Sequence, residues 1–217
     1  MTLSGFGTIV HHEFLLEFRH RFASAALLVY VAAVAFIIYL SFASTEPALW
    51  NGLFWIVILF SGLQSGTIAF QREFGDSHLF YYQYIHPVSL YLAKVLSVWI
   101  KLMVLALLAW FVMGVVLGNP VVKWELFLLA VVLGSLGFSA IFSFLSAIAL
   151  NTSNSGLLLA VLGFPVLLPV LLSVMRLSFV SMAVREVEAT DSIVMLLAVV
   201  MLVIGLGLIL FPYLWKN

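Results

Sequence analysis

The chain predicts an all-α membrane protein of about six transmembrane helices, with a short amphipathic helix in front of them. Two compositional observations carry this. Hydrophobic residues make up 65% of the 217 positions and charged residues only 8%. Mean hydropathy is +1.25, too little polar surface to keep a folded chain of this length in water. The third observation is pattern. The apolar residues come in long continuous runs rather than alternating with period two, which argues against a membrane barrel.

Taken in order, residues 6–22 come first. Val10, Phe14, Phe18 and Phe22 recur every fourth position, and Glu13, Glu17 and Arg21 form a polar row at the same spacing. Glu precedes Arg by four, the favourable order for a helical pair. This predicts an interfacial helix within 1–22, serving either as a plain anchor or as an elbow against a partner. The apolar run after it is about a full span long and is preceded by Glu17, Arg19 and Arg21, so it reads as a retained anchor rather than a cleaved leader. A span needs about 20 apolar residues, which places spans at 24–43, 48–70, 91–117, 126–150, 156–180 and 193–215. The linkers are short except 71–90 and 181–192, so the chain is a single transmembrane domain over 1–217.

An even number of spans puts both termini on one side. That side collects Arg19, Arg21, Arg72, Lys94 and Lys216, and Lys101 can snorkel toward it. The opposite side collects Glu46, Lys123, Glu125, Arg176, Arg185, Glu186, Glu188 and Asp191. The Lys/Arg bias therefore expects the termini and the 71–90 loop in the cytoplasm.

Several chemistries are disfavoured. Net charge is zero, so nothing draws the chain to nucleic acid. There are no cysteines, which excludes a disulfide frame, a thiolate metal site and a thiol nucleophile. His11, His12, His20, His78 and His86 all fall outside the spans, and no metal-binding spacing occurs. Ser135, Ser139, Ser143 and Ser146, with Gly134 and Gly137, form a small-residue seam on the fourth span. It reads as helix packing, because no base accompanies it. No bound cofactor, no metal and no catalytic residue is expected. The chain lacks a GxxxxGK[ST] loop, so any ATP hydrolysis must come from a partner.

Two features stand out as functional candidates. The first is the polar stretch 71–94, QREFGDSHLFYYQYIHPVSLYLAK. Gln71, Arg72 and Glu73 end the second span. Gly75 and Asp76 offer a helix break and cap, and Phe80 and Tyr82 belong to a short aromatic piece closed by Pro87. Such a piece suits a socket in another protein, or a surface helix held at the interface by tyrosines. The second is Pro165 and Pro169 in GFPVLLPVLL of the fifth span. Each removes a backbone donor, giving either a fixed bend or a hinge beside a substrate path.

In this order, the amphipathic start, the 71–94 loop closed by Pro87 and Leu92-Ala93-Lys94, the NTSNSG turn and the paired prolines resemble the haem exporter protein B family (CcmB-type) over nearly the whole chain. That family supplies the permease subunit of the ABC complex for cytochrome c maturation. The stretch YYQYIHP is more aromatic than the family's commoner loop. The resemblance implies an ABC-2-type permease architecture in the bacterial inner membrane, with two permease copies per complex. It implies a cytoplasmic ATP-binding cassette subunit (A type), C- and D-type haem-handling subunits and the haem chaperone E as partners. ATP would then act through the partner, with haem as a candidate substrate and release of the loaded chaperone as an outcome. On that reading Gln71, Arg72, Glu73, Asp76, Phe80, Tyr82 and Pro87 form the ATPase-coupling loop, and Pro165 and Pro169 the hinge. A lipid- or drug-exporting permease of the same architecture, or a purely structural anchor, are the alternatives.

Overall fold

A computed structural model describes residues 21–41, 46–71, 87–149, 155–183 and 189–214. These form six α-helices and, among the described residues, no strand. They are α1 (Arg21–Ser41), α2 (Pro47–Gln71), α3 (Pro87–Leu117), α4 (Trp124–Ala149), α5 (Ser155–Ser181) and α6 (Ala189–Leu214). The predicted interfacial helix over 6–22 falls almost wholly outside the described residues, and Arg21 and Phe22 open α1 itself. Five helices, α2 to α6, contain stretches long and apolar enough to cross a membrane. The described apolar part of α1, Val29–Ser41, is shorter.

Helix starts follow local chemistry. α2 and α3 each begin on a proline, Pro47 and Pro87. At the first helical position the missing N–H would have no partner anyway, and the fixed φ suits the helix. Pro87 therefore starts α3, where the sequence pattern has it turning the chain ahead of a span at Tyr91. The end of α3 is set by Gly118, whose φ of +86° suits a residue without a side chain.

Contacts across the bundle fix the helix directions. Asn51 near the start of α2 meets Met175 near the end of α5. Trp50 packs on Phe127 at the start of α4. Tyr91 at the start of α3 lies on Phe211 near the end of α6. So α2, α4 and α6 run one way and α3 and α5 the other. One end of the bundle, the proximal end, carries the 72–86 connection. The distal end carries the α3–α4 link and the start of α2.

The centre is α4, which touches α2, α3, α5 and α6. Its small residues explain the position. Ser135, Ser139 and Ser143 are all fully buried, and Gly134 and Gly137 allow neighbours close approach. A Cβ at Gly134 would fall 2.7 Å from Trp55 of α2 and 2.8 Å from Val174 of α5. The seam read from sequence is thus the packing axis. Ser139 Oγ donates to the Val95 carbonyl of α3.

At the periphery α1 packs on α3 and only lightly on α2. Among its residues with described burial, 29–41, it buries one stripe, Val31, Ala35 and Ile38. Val104, Phe111 and Val115 of α3 and Val194, Met201 and Ile209 of α6 face outward. A continuous apolar exterior of this kind is the lipid-facing surface of a membrane bundle.

Candidate functional site

The proximal end is where the sequence places its chief candidate. Gln71 is the last residue of α2 and Pro87 the first of α3, so the helices bracket the connection between them. Arg72, Glu73, Asp76, Phe80 and Tyr82 lie outside the described residues. What is described is the packing directly beneath. Ser89, Leu90, Tyr91, Ala93 and Lys94 are all buried within two turns of Pro87. Sequence expects Lys94 at the charged edge of the protein; instead it is 4% exposed, inside the packed bundle. Neither Lys94 nor the part-buried Lys101 lacks a partner.

Tyr91 is the anchor of this end. It is fully buried and lies with Leu90, Val95, Ala147 and Phe211 in an apolar cluster that meets the main core through the part-buried Phe144. Its ring centroid is 5.6 Å from that of Phe211, tilted by 35°. Its hydroxyl rests over Gly207 of α6, where a Cβ would collide with Oη and Cζ. Among the described residues the Tyr91 Oη has no hydrogen-bond partner. A buried hydroxyl left unpaired costs about 1–3 kcal/mol, so this seat is held by packing against an adverse polar term.

The proline pair lies in α5, which runs as one helix from Ser155 to Ser181 with both prolines inside it. Pro165 is exposed and Pro169 part-buried, while Leu167, Val170 and Val174 on the other side are buried. The softened edge of α5 therefore points away from α4. Gly163, just before the pair, is buried, and a Cβ there would come 2.9 Å from Leu145 of α4. Ser173 Oγ donates to the Pro169 carbonyl at 2.7 Å, a bond back along the helix that often accompanies bending.

The distal end holds polar cross-links that the sequence reading passed over. Asn51 Nδ2 donates to the Met175 carbonyl at 3.0 Å, and Trp55 Nε1 donates to Ser178 Oγ at 2.8 Å. Both tie α2 to α5. The backbone N–H groups of Val122 and Lys123 donate to the Ser181 carbonyl at 3.1 and 2.8 Å, clamping the α3–α4 link onto the end of α5. Beneath them Trp50, Phe54, Phe127 and Trp110 form a continuous aromatic stack, with centroids 4.9 to 5.4 Å apart at successive contacts. The available signal was an asparagine and a serine inside apolar spans, where polar side chains serve as interhelical hydrogen bonders.

Among the described residues no group of His, Asp or Glu side chains gathers to hold a metal. The geometry is that of a distal end fixed by hydrogen bonds and a proximal end closed by apolar packing below a polar connection.

A protein-family model described as CcmB protein matches residues 5–212, nearly the entire chain. No curated protein matches it.

Proposed function

We infer the function from one premise: this chain belongs to the CcmB protein family. Its role is that of a haem-exporter permease in cytochrome c maturation, carried out as a multi-pass protein of the inner membrane. The single observation behind this is the family match across 5–212, which takes in the first five helices and α6 as far as Pro212.

The finer reading is that the permease converts ATP hydrolysis in a separate ATP-binding cassette subunit into haem handling on the outer face, or into release of a haem-loaded chaperone. Three features support it. The chain has no nucleotide-binding loop of its own. The connection between Gln71 and Pro87 carries Arg72, Glu73 and Asp76 and lies on the side the Lys/Arg bias assigns to the cytoplasm along with both termini. The described residues are the helices of one transmembrane bundle and their short links, with no soluble domain among them. On this reading Gln71, Arg72, Glu73, Asp76, Phe80, Tyr82 and Pro87 engage the ATP-binding subunit. C- and D-type membrane subunits and the chaperone complete the assembly, built on two permease copies. The chain itself catalyses no reaction and holds no cofactor.

Cells lacking the chain are expected to lose c-type cytochromes with covalently attached haem, measured by haem staining of membrane fractions. Expression of the full chain restores them. Wild-type haem staining without the chain contradicts the proposal. A second expectation concerns haem itself. No histidine or cysteine lies within the six helices, and buried Met and Tyr are commoner as packing residues than as iron ligands. The subunit purified alone is expected to show no stoichiometric Soret band. A tight one-to-one haem spectrum contradicts this.

A further inference from the structure

We propose that Tyr91 is a positioning residue that couples the start of α3, where the 72–86 connection ends, to α6, leaving its seat on Gly207 in a second state of the permease. The inference rests on the reading of that connection as the contact for the ATP-binding subunit. Four observations meet at this side chain. It lies one turn into α3 from Pro87, the residue at which the connection ends and the helix begins. It is fully buried and fits α6 only because position 207 has no side chain. Its cluster with Leu90, Val95, Ala147 and Phe211 meets the main core through the part-buried Phe144 and lies at the opposite end of the bundle from the aromatic stack and cross-links. Its hydroxyl has no partner among the described residues in the seated arrangement.

The last point gives the seat its direction. A phenol that only filled space would be as well served by phenylalanine. An O–H buried without an acceptor weakens the seated state and favours any arrangement that gives it one. The two arrangements then differ by little free energy, which is what a coupled element needs. Movement of α6 is eased nearby by Gly205, which has open space around it, and by Pro212 inside the helix. Removing the hydroxyl should hold Tyr91 in its seat. Blocking the seat should expel it.

The test uses the intact complex in cells and two variants, Tyr91→Phe and Gly207→Ala. Three quantities are read for each: chain level in the membrane, co-purification of the ATP-binding subunit, and c-type cytochrome by haem staining. For Tyr91→Phe the expected result is unchanged chain level, unchanged co-purification and haem staining down by about fivefold or more. Heating the detergent-solubilised Tyr91→Phe complex should give a melting temperature equal to or above wild type. For Gly207→Ala, a chain that accumulates should also lose staining, with a lower melting temperature. Wild-type staining with Tyr91→Phe overturns the proposal. So does a fall in chain level that accounts for the whole loss of staining, since the residue would then only pack. Failure of the underlying reading shows elsewhere: the ATP-binding subunit would still co-purify when residues 72–86 are scrambled, whatever Tyr91→Phe does.

Discussion

Gly134→Leu is expected to prevent stable accumulation of the protein, and Gly134→Ala to lower its melting temperature in detergent. Position 134 sits on the central helix with α2 on one side and α5 on the other. A Cβ there meets Trp55 Cη2 at 2.7 Å and Val174 Cγ1 at 2.8 Å, closer than atoms pack. Relief requires one neighbour to move, and Trp55 is held. Its Nε1 donates to Ser178 Oγ at 2.8 Å, and its ring lies edge-on to Phe54 at 5.1 Å. Alanine gains up to about 1 kcal/mol of helix propensity over glycine. Overpacking a tight core costs about 1–3 kcal/mol, so the propensity gain is outweighed. Leucine adds three more carbons with nowhere to go. Gly205→Ala in α6 is the control, because nothing lies within 4 Å of a Cβ at that position. It should leave the melting temperature unchanged or slightly raised. Equal losses for the two alanine variants would mean that helix propensity, and not close approach on α4, decides the outcome.

Replacing Pro165 and Pro169 together with alanine is expected to leave assembly intact and to cut cytochrome c maturation by about fivefold or more. Each proline lacks the N–H that would bond the carbonyl four residues earlier, at Val161 and at Pro165 itself. Two such gaps one turn apart weaken the same edge of α5, the edge turned away from α4. The helix is continuous as it stands, so the prolines act by making it easier to bend rather than by breaking it. Alanine restores both bonds and stiffens the helix. If the prolines form a pivot between two states of the permease, stiffening removes one of them while the chain still inserts and assembles. If they serve only a fixed shape, the double variant either matures cytochrome at the wild-type level or disappears from the membrane. Quantifying the chain alongside haem staining separates these outcomes.

Much of the fold is legible in the sequence because the bilayer dictates it. A run long enough to cross must be helical so that every backbone group is bonded within it. The predicted spans therefore match the six helices closely, and the serine and glycine seam of α4 marks the bundle axis in advance. Partners distant in sequence are not legible. No local pattern tells that Asn51 bonds the carbonyl of Met175, or that Trp55 finds Ser178. Lys94 shows the same gap: a charge near a helix start reads as an edge residue, yet tertiary packing covers it. Tyr91 was equally hidden. An aromatic residue at a span's edge reads as an interface anchor, and its seat depends on a glycine on another helix. For the proposed coupling loop the sequence remains the guide, since residues 72–86 lie outside the described structure.

The central claim is that this permease receives its drive through that loop. The most direct measurement is co-purification of the ATP-binding subunit with three forms of the full chain expressed in its own complex: wild type, Glu73→Lys/Asp76→Lys, and residues 72–86 scrambled at constant composition. The account predicts equal amounts of all three in the membrane, a reduced ATP-binding subunit with the charge-reversed pair, and almost none with the scrambled loop. A scrambled loop that retains the full complement of ATP-binding subunit contradicts it.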